Sequence, residues 1–194
     1  MKLLPTTLPG VLMIEPAVMG DARGWFMESY NQPRFAMALA ELGVPEAPQF
    51  VQDNHSCSQA GVLRGLHYQL PPHAQGKLVR VVQGAAIDVA VDIRQGSPHF
   101  GQWVAVELTA INHRQLWIPP GFAHGFMALQ DNTHFLYKTT DVYAKACERS
   151  IRFDDPTLGI HWPALAGGGA PIVAGKDADA PLLADAELPG YRRE

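Results

Sequence analysis

Gly61-Val-Leu-Arg-Gly-Leu-His67-Tyr-Gln69, read together with Pro119-Pro-Gly121-Phe-Ala-His124, decides how this chain folds. Each segment sets one histidine on a strand-like run behind a glycine turn signal, and the two lie far apart in sequence. Such segments converge when a sheet rolls the chain back on itself as a barrel. Arg64, Lys77 and Tyr137 accompany them. Imidazole, guanidinium, ammonium and phenol around one cavity suit an anionic substrate and proton transfer.

Working outward, short apolar runs and period-two alternation dominate. Strands are predicted at Gly10 to Glu15, Gly24 to Tyr30, Gln49 to Ser56 and Gly61 to Leu70. A denser series follows at Lys77 to Val82, Ala86 to Ile93, Gln102 to Leu108, Gln115 to Ile118, Phe122 to Leu129 and Thr133 to Thr140. Gly84, Pro98, Gly121 and Asn132 mark turns between them. In Ile87-Asp-Val-Ala-Val-Asp-Ile93 the acids fall on one face and Val89, Val91 and Ile93 on the other, which predicts one core face and one polar face. Pro33 to Leu42, opened by proline and closed by Gly43, is the one helix the pattern specifies firmly.

The expected organisation is one domain over 1–194: N-terminal strands and a helix over 1–48, a barrel core over 49–145, and loops with short helices packed on the barrel over 146–194. Ala166-Gly-Gly-Gly-Ala170 reads as a flexible bridge within the last part. A chain 47% hydrophobic and 18% charged is ordinary for a globular protein, and a net charge of −4 argues against non-specific nucleic-acid binding. Neither a signal peptide nor a membrane-spanning run is recognised, and Cys57 and Cys147 lack metal or redox spacing. A cytoplasmic location with free thiols is expected.

The two histidine segments resemble the paired motifs of the cupin superfamily. The first keeps Gly61, five residues and His67, and the second keeps Pro119, Gly121 and His124. The resemblance implies an all-β fold, a cupin-type β-barrel or jelly roll with a few short helices. Gln69 stands where a second metal-ligating histidine belongs, and no suitably placed glutamate follows. Two histidines make a poor metal site, so no metal is expected. An imidazole freed from a metal titrates near neutrality and suits a general base.

Longer runs sharpen the resemblance. Phe50-Val-Gln-Asp-Asn-His-Ser56, Gln75-Gly-Lys-Leu-Val-Arg80, Gln115-Leu-Trp-Ile-Pro119, Gly121-Phe-Ala-His-Gly-Phe126 and Phe135-Leu-Tyr-Lys-Thr139 are similar, with the segments above, to the dTDP-4-dehydrorhamnose 3,5-epimerase family. The resemblance implies a cofactor-independent isomerase. It would convert dTDP-4-dehydro-6-deoxy-D-glucose into dTDP-4-dehydro-L-rhamnose, inverting C3 and C5, for rhamnose and O-antigen synthesis. A hydrogen alpha to a ketone is removed by a base, and an acid returns a proton to the opposite face.

By the same resemblance His67 is the base, Asp177 its carboxylate partner, Tyr137 the proton donor and Lys77 the cation near the C4 oxygen, with His124 beside it. Arg23, Glu28, Gln52, Asp53, Asn54, Arg64, Glu148 and Lys176 are the implied substrate contacts. Tyr143 is assigned a supporting wall. A homodimer is implied, with the segment holding Arg23 and Glu28 reaching into the neighbouring subunit's site. Two alternatives stay open: an epimerase of C3 or C5 alone in another deoxysugar pathway, and a non-catalytic sugar-nucleotide-binding cupin.

Overall fold

Fourteen strands and two short helices build the protein in the computed structural model, which describes residues 1–44, 46–165 and 168–191. The N-terminal part runs β1 (Lys2–Pro5), β2 (Leu12–Glu15), β3 (Val18–Asp21), β4 (Gly24–Met27) and α1 (Gln32–Glu41). The central part runs β5 (Gln52–Ser58), β6 (Val62–Gln69), β7 (Lys77–Gln83), β8 (Ala85–Asp92), β9 (Trp103–Thr109), β10 (Gln115–Ile118), β11 (Phe122–Ala128) and β12 (Thr133–Thr139). β13 (Glu148–Ser150), β14 (Ile172–Val173) and α2 (Gly175–Ala178) close the series.

One sheet has the order β1-β2-β10-β7-β12-β5, and the other β13-β6-β11-β8-β9 with β14 beside β6. Apart from β1–β2 and β8–β9, the neighbours in both sheets are non-consecutive, the mark of a jelly roll. β3 and β4 form a separate hairpin.

Three apolar layers follow from strand alternation. Val79, Val81 and Phe135 of the first sheet meet Ala86, Ala90, Leu108 and Phe126 of the second. The rings of Phe126 and Phe135 stack at 4.0 Å across this interior. The first sheet's other face buries Leu12, Ile14, Leu78 and Trp117 under Phe35 and Leu39 of α1. Asn31 caps that helix by accepting the Arg34 amide, and the observed span begins and ends one residue before the predicted one. The second sheet's other face buries Val89, Val91 and Ile93 under Ile151, Leu158 and Leu183 from the C-terminal part. Asp155 pins that cover by accepting from the amides of Thr157, Leu158 and Leu183.

This third layer corrects the reading of β8. Both its faces are dry: Asp88 and Asp92 are fully buried, as are Val89, Val91 and Ile93. The polar face predicted from the acids is the barrel interior, where Asp88 has a histidine partner. β1, β3, β13 and β14, of two to four residues, are strands that the sequence pattern did not indicate. Of the glycine bridge, residues 166 and 167 lie outside the described residues.

Candidate active site

A cavity of about 270 Å³ opens between the two sheets. Its walls carry Arg64, Lys77 and Lys176 against a single carboxylate, Glu148, with His67, His124, Tyr137 and Tyr143 among the remaining lining. His67 and His124 are register partners on β6 and β11 in one sheet, whereas Tyr137 projects from β12 in the other. Imidazole and phenol therefore approach the cavity from opposite walls.

Close strand approach sets the histidine wall. The β6–β11 ladder shifts register between His124 and Phe126, where Gly65 faces Gly125. A Cβ built on Gly65 would lie 2.5 Å from the Gly125 Cα, and its φ of +136° also excludes other residues. The exposed amide edge at this point recruits the C-terminal part. β14 adds in parallel alongside Val62 and Leu63, and the next turn of chain, α2, delivers Asp177. One carboxylate oxygen of Asp177 meets His67 Nε2 at 2.6 Å, and the other accepts the Gly65 amide at 3.2 Å.

Asp177 is 2% exposed. Burial alone would raise its pKa, but the His67 hydrogen bond and charge, the Gly65 amide and Lys176 together hold it below the usual carboxylate value. It stays a carboxylate at neutral pH and fixes the imidazole's orientation through Nε2, leaving Nδ1 uncommitted.

A second pair lies deeper. His124 Nε2 meets Asp88 Oδ1 at 2.7 Å, both side chains being buried. Burial depresses the pKa of His124, assisted by the Lys77 charge and opposed by Asp88, which favours neutral imidazole at pH 7. Lys77 donates to the backbone carbonyl of His67 at 3.1 Å. Burial drives its ammonium down to about 8, although the charges of Asp88 and Glu148 favour the cation. Tyr137 is pushed up by burial, countered in part by Arg64, so its phenol holds a proton at neutral pH.

The mouth is a smaller network. Glu148 receives the Tyr143 hydroxyl at 2.8 Å and Lys176 Nζ at 3.0 Å. Burial would raise the Glu148 pKa, but these two hydrogen bonds outweigh it. Arg64 donates to Ser58 Oγ at 3.1 Å, which aims its guanidinium along the cavity wall. The donor set suits a metal poorly, since each histidine spends Nε2 on a carboxylate and Gln69 gives its amide to backbone groups. An imidazole base held in orientation by a carboxylate, a protonated phenol opposite and a buried cation can together remove and return a proton beside a carbonyl.

A family model described as dTDP-4-dehydrorhamnose 3,5-epimerase matches residues 5–185. The chain belongs to the dTDP-4-dehydrorhamnose 3,5-epimerase family. Among its relatives, the enzyme of that name from Pseudomonas aeruginosa is 53% identical over 96% of this chain and 98% of its own length. The one from Shigella flexneri is 52% identical over the same shares. A solved structure of dTDP-6-deoxy-D-glucose-3,5-epimerase from Legionella pneumophila, in complex with dTDP-4-keto-L-rhamnose, is 48% identical with a TM-score of 0.90, covering 99% of both chains.

Of the residues that the family resemblance assigned, His67, Lys77, Tyr137, Asp177, Arg64, His124, Glu148 and Lys176 gather at this cavity. The others do not line it. Arg23, on the β3–β4 hairpin, bonds Asp21 and no other side chain among the described residues, and is almost wholly exposed. Glu28 bonds Arg34 and Asn31 beside α1. Asp53 faces the opposite side of its sheet and pairs with Lys138. Gln52 accepts the Tyr143 amide and donates to Asn54, so both amides serve the wall rather than the lining. Asp88 and Gln75 were missed. An acid inside an otherwise apolar strand was the signal for Asp88.

Proposed function

We propose that this protein is a dTDP-4-dehydrorhamnose 3,5-epimerase, a cofactor-independent isomerase that converts dTDP-4-dehydro-6-deoxy-D-glucose into dTDP-4-dehydro-L-rhamnose. The carrying observation is the His67–Asp177 pair on one sheet opposite Tyr137 on the other, with the buried ammonium of Lys77 beside them. His67 removes the proton at C3, and then at C5, into its uncommitted ring nitrogen, and Asp177 stabilises the imidazolium. Lys77, with His124 nearby, stabilises the enolate oxygen at C4. Tyr137 supplies a proton to the opposite face. At about 270 Å³ the cavity accommodates a hexose ring, so the diphosphate and base extend past Arg64, Lys176 and Tyr143 at the mouth.

Proton NMR of the reaction in deuterated water tests this reading. Deuterium is expected at both C3 and C5 of the product. Label at one carbon alone would reassign the protein to a single-centre epimerase, and no label would remove the proton-transfer mechanism.

The active form we propose is a homodimer in the cytoplasm, supplying a rhamnose donor to O-antigen synthesis. Residues 1–48 are its arm: Trp25 and Phe26 on the β3–β4 hairpin are 59% and 65% exposed, more apolar surface than a free hairpin tolerates. Arg23 on that hairpin is then a contact to the substrate bound by the partner. Arg23→Ala is expected to raise KM about tenfold, the cost of a charge-assisted hydrogen bond, while light scattering still gives a dimer mass. An unchanged KM, or a monomer in the wild type, would refute the shared site.

A further inference from the structure

The connection between β12 and β13 forms one rim of the cavity and carries Tyr143 toward Glu148. Four successive residues of this rim have a backbone group held by a glutamine side chain from another part of the chain. Gln75 Nε2 donates to the Asp141 carbonyl at 2.8 Å, and Gln69 Nε2 to the Val142 carbonyl at 3.1 Å. The Tyr143 amide donates to Gln52 Oε1 at 3.0 Å, and the Ala144 amide to Gln69 Oε1 at 2.7 Å. Gln69 Nε2 also donates to the His73 carbonyl at 2.6 Å, which uses both its hydrogens.

Gln69 and Gln52 stand on β6 and β5, in different sheets, so the rim is tied to both walls of the barrel. Gln69 is 6% exposed, which shields its bonds from competing water. The amide suits this place because a single terminal group both donates to one backbone carbonyl and accepts from a backbone amide two residues on. An ionised carboxylate at position 69 could not donate, and a neutral imidazole would offer one donor hydrogen where Gln69 uses two.

We infer that Gln52, Gln69 and Gln75 form a positioning clamp, centred on Gln69, that orders rim residues 141–144 and so presents Tyr143 and Glu148 to the nucleotide end of the substrate. The inference rests on the function proposed above, and it assigns these glutamines a role in binding rather than in proton transfer. The position that a metal cupin gives to a ligand here supports the wall of the site.

Wild type, Gln69→Ala and Gln75→Ala would be compared by hydrogen–deuterium exchange, by calorimetric titration with dTDP and by steady-state kinetics. Both variants are expected to exchange faster across residues 141–144. KM and the Kd for dTDP should rise roughly 5- to 50-fold in Gln69→Ala, as loss of several shielded hydrogen bonds implies, and less in Gln75→Ala, with kcat within about threefold of wild type. Gln69→Glu supplies the rescue. Its carboxylate cannot donate to Val142, but its protonated form can, so its affinity relative to wild type should recover as pH falls.

Unchanged exchange, or faster exchange with unchanged Kd and KM, would overturn the clamp, as would a fall in kcat alone. If Gln69→Ala does not fold, Gln75→Ala, which breaks one bond at the rim's edge, decides the same points. A wild type that binds dTDP without turnover would defeat the proposed function while the dTDP titrations still judge the clamp. A wild type that does not bind dTDP would remove both.

Discussion

Replacing His67 by alanine is expected to lower kcat by about 10²- to 10⁴-fold, the usual contribution of a positioned general base. That range corresponds to roughly 3–5 kcal/mol of transition-state stabilisation. The affinity for dTDP should stay near the wild-type value, because the diphosphate is assigned to Arg64 and Lys176 rather than to the imidazole. Stability should fall by about 1–3 kcal/mol, because Asp177, 2% exposed, loses its imidazole partner and keeps only the Gly65 amide. Deuterium exchange into the substrate should fall in step with kcat, since both need the same proton abstraction. Full turnover by the variant would eliminate His67 as the base and favour a non-catalytic or differently organised site.

The barrel and its pair of histidine strands were legible because their signals are local. Gly61 and Gly121 each stand at positive φ in a turn that leads into a strand, at +80° and +88°, and the strands behind them run for eight and seven residues. The fate of β8 was not legible. Its acids marked a polar face, but whether that face met water or a buried imidazole depended on which strand lay beside it, and no pattern within β8 encodes its pairing with β11. The approach of Asp177 to His67 likewise depends on β14, two β-branched residues too few to reveal on their own which strand they pair with. Family resemblance supplied that pair, and the structure supplies its physical route. The rim is a third case. Gln69 was legible as a missing metal ligand, but its bonds to Val142 and Ala144 follow from long-range folding alone. Where an interaction joins elements distant in sequence, residue type says what chemistry is available and only the pairing of strands says what it meets.

Lys77→Met is expected to lower kcat by roughly 10²- to 10³-fold, the typical loss when one oxyanion-stabilising donor is removed, and at the same time to raise stability near neutral pH. The two effects have one origin. Burial holds the folded pKa of Lys77 at about 8, below its ordinary 10.5. The unfolded chain therefore binds the extra proton between those values, and stability rises with pH across that window. Below about pH 8 the fold carries a buried cation at a cost of about 3 kcal/mol, which methionine, similar in length and uncharged, does not incur. Activity runs the other way, because deprotonation of Lys77 removes the charge that the enolate oxygen needs. Wild-type kcat should consequently decline as pH rises through about 8, whereas the melting temperature does not fall with it. Tyr137, whose pKa burial raises above that of a free phenol, cannot account for a limb in that range. In Lys77→Met the limb near 8 should be missing from the residual activity. If the limb persists in the variant, or if the variant keeps wild-type turnover, the ammonium is not the group that faces the developing charge, and His124 with its Asp88 partner becomes the remaining candidate for that position.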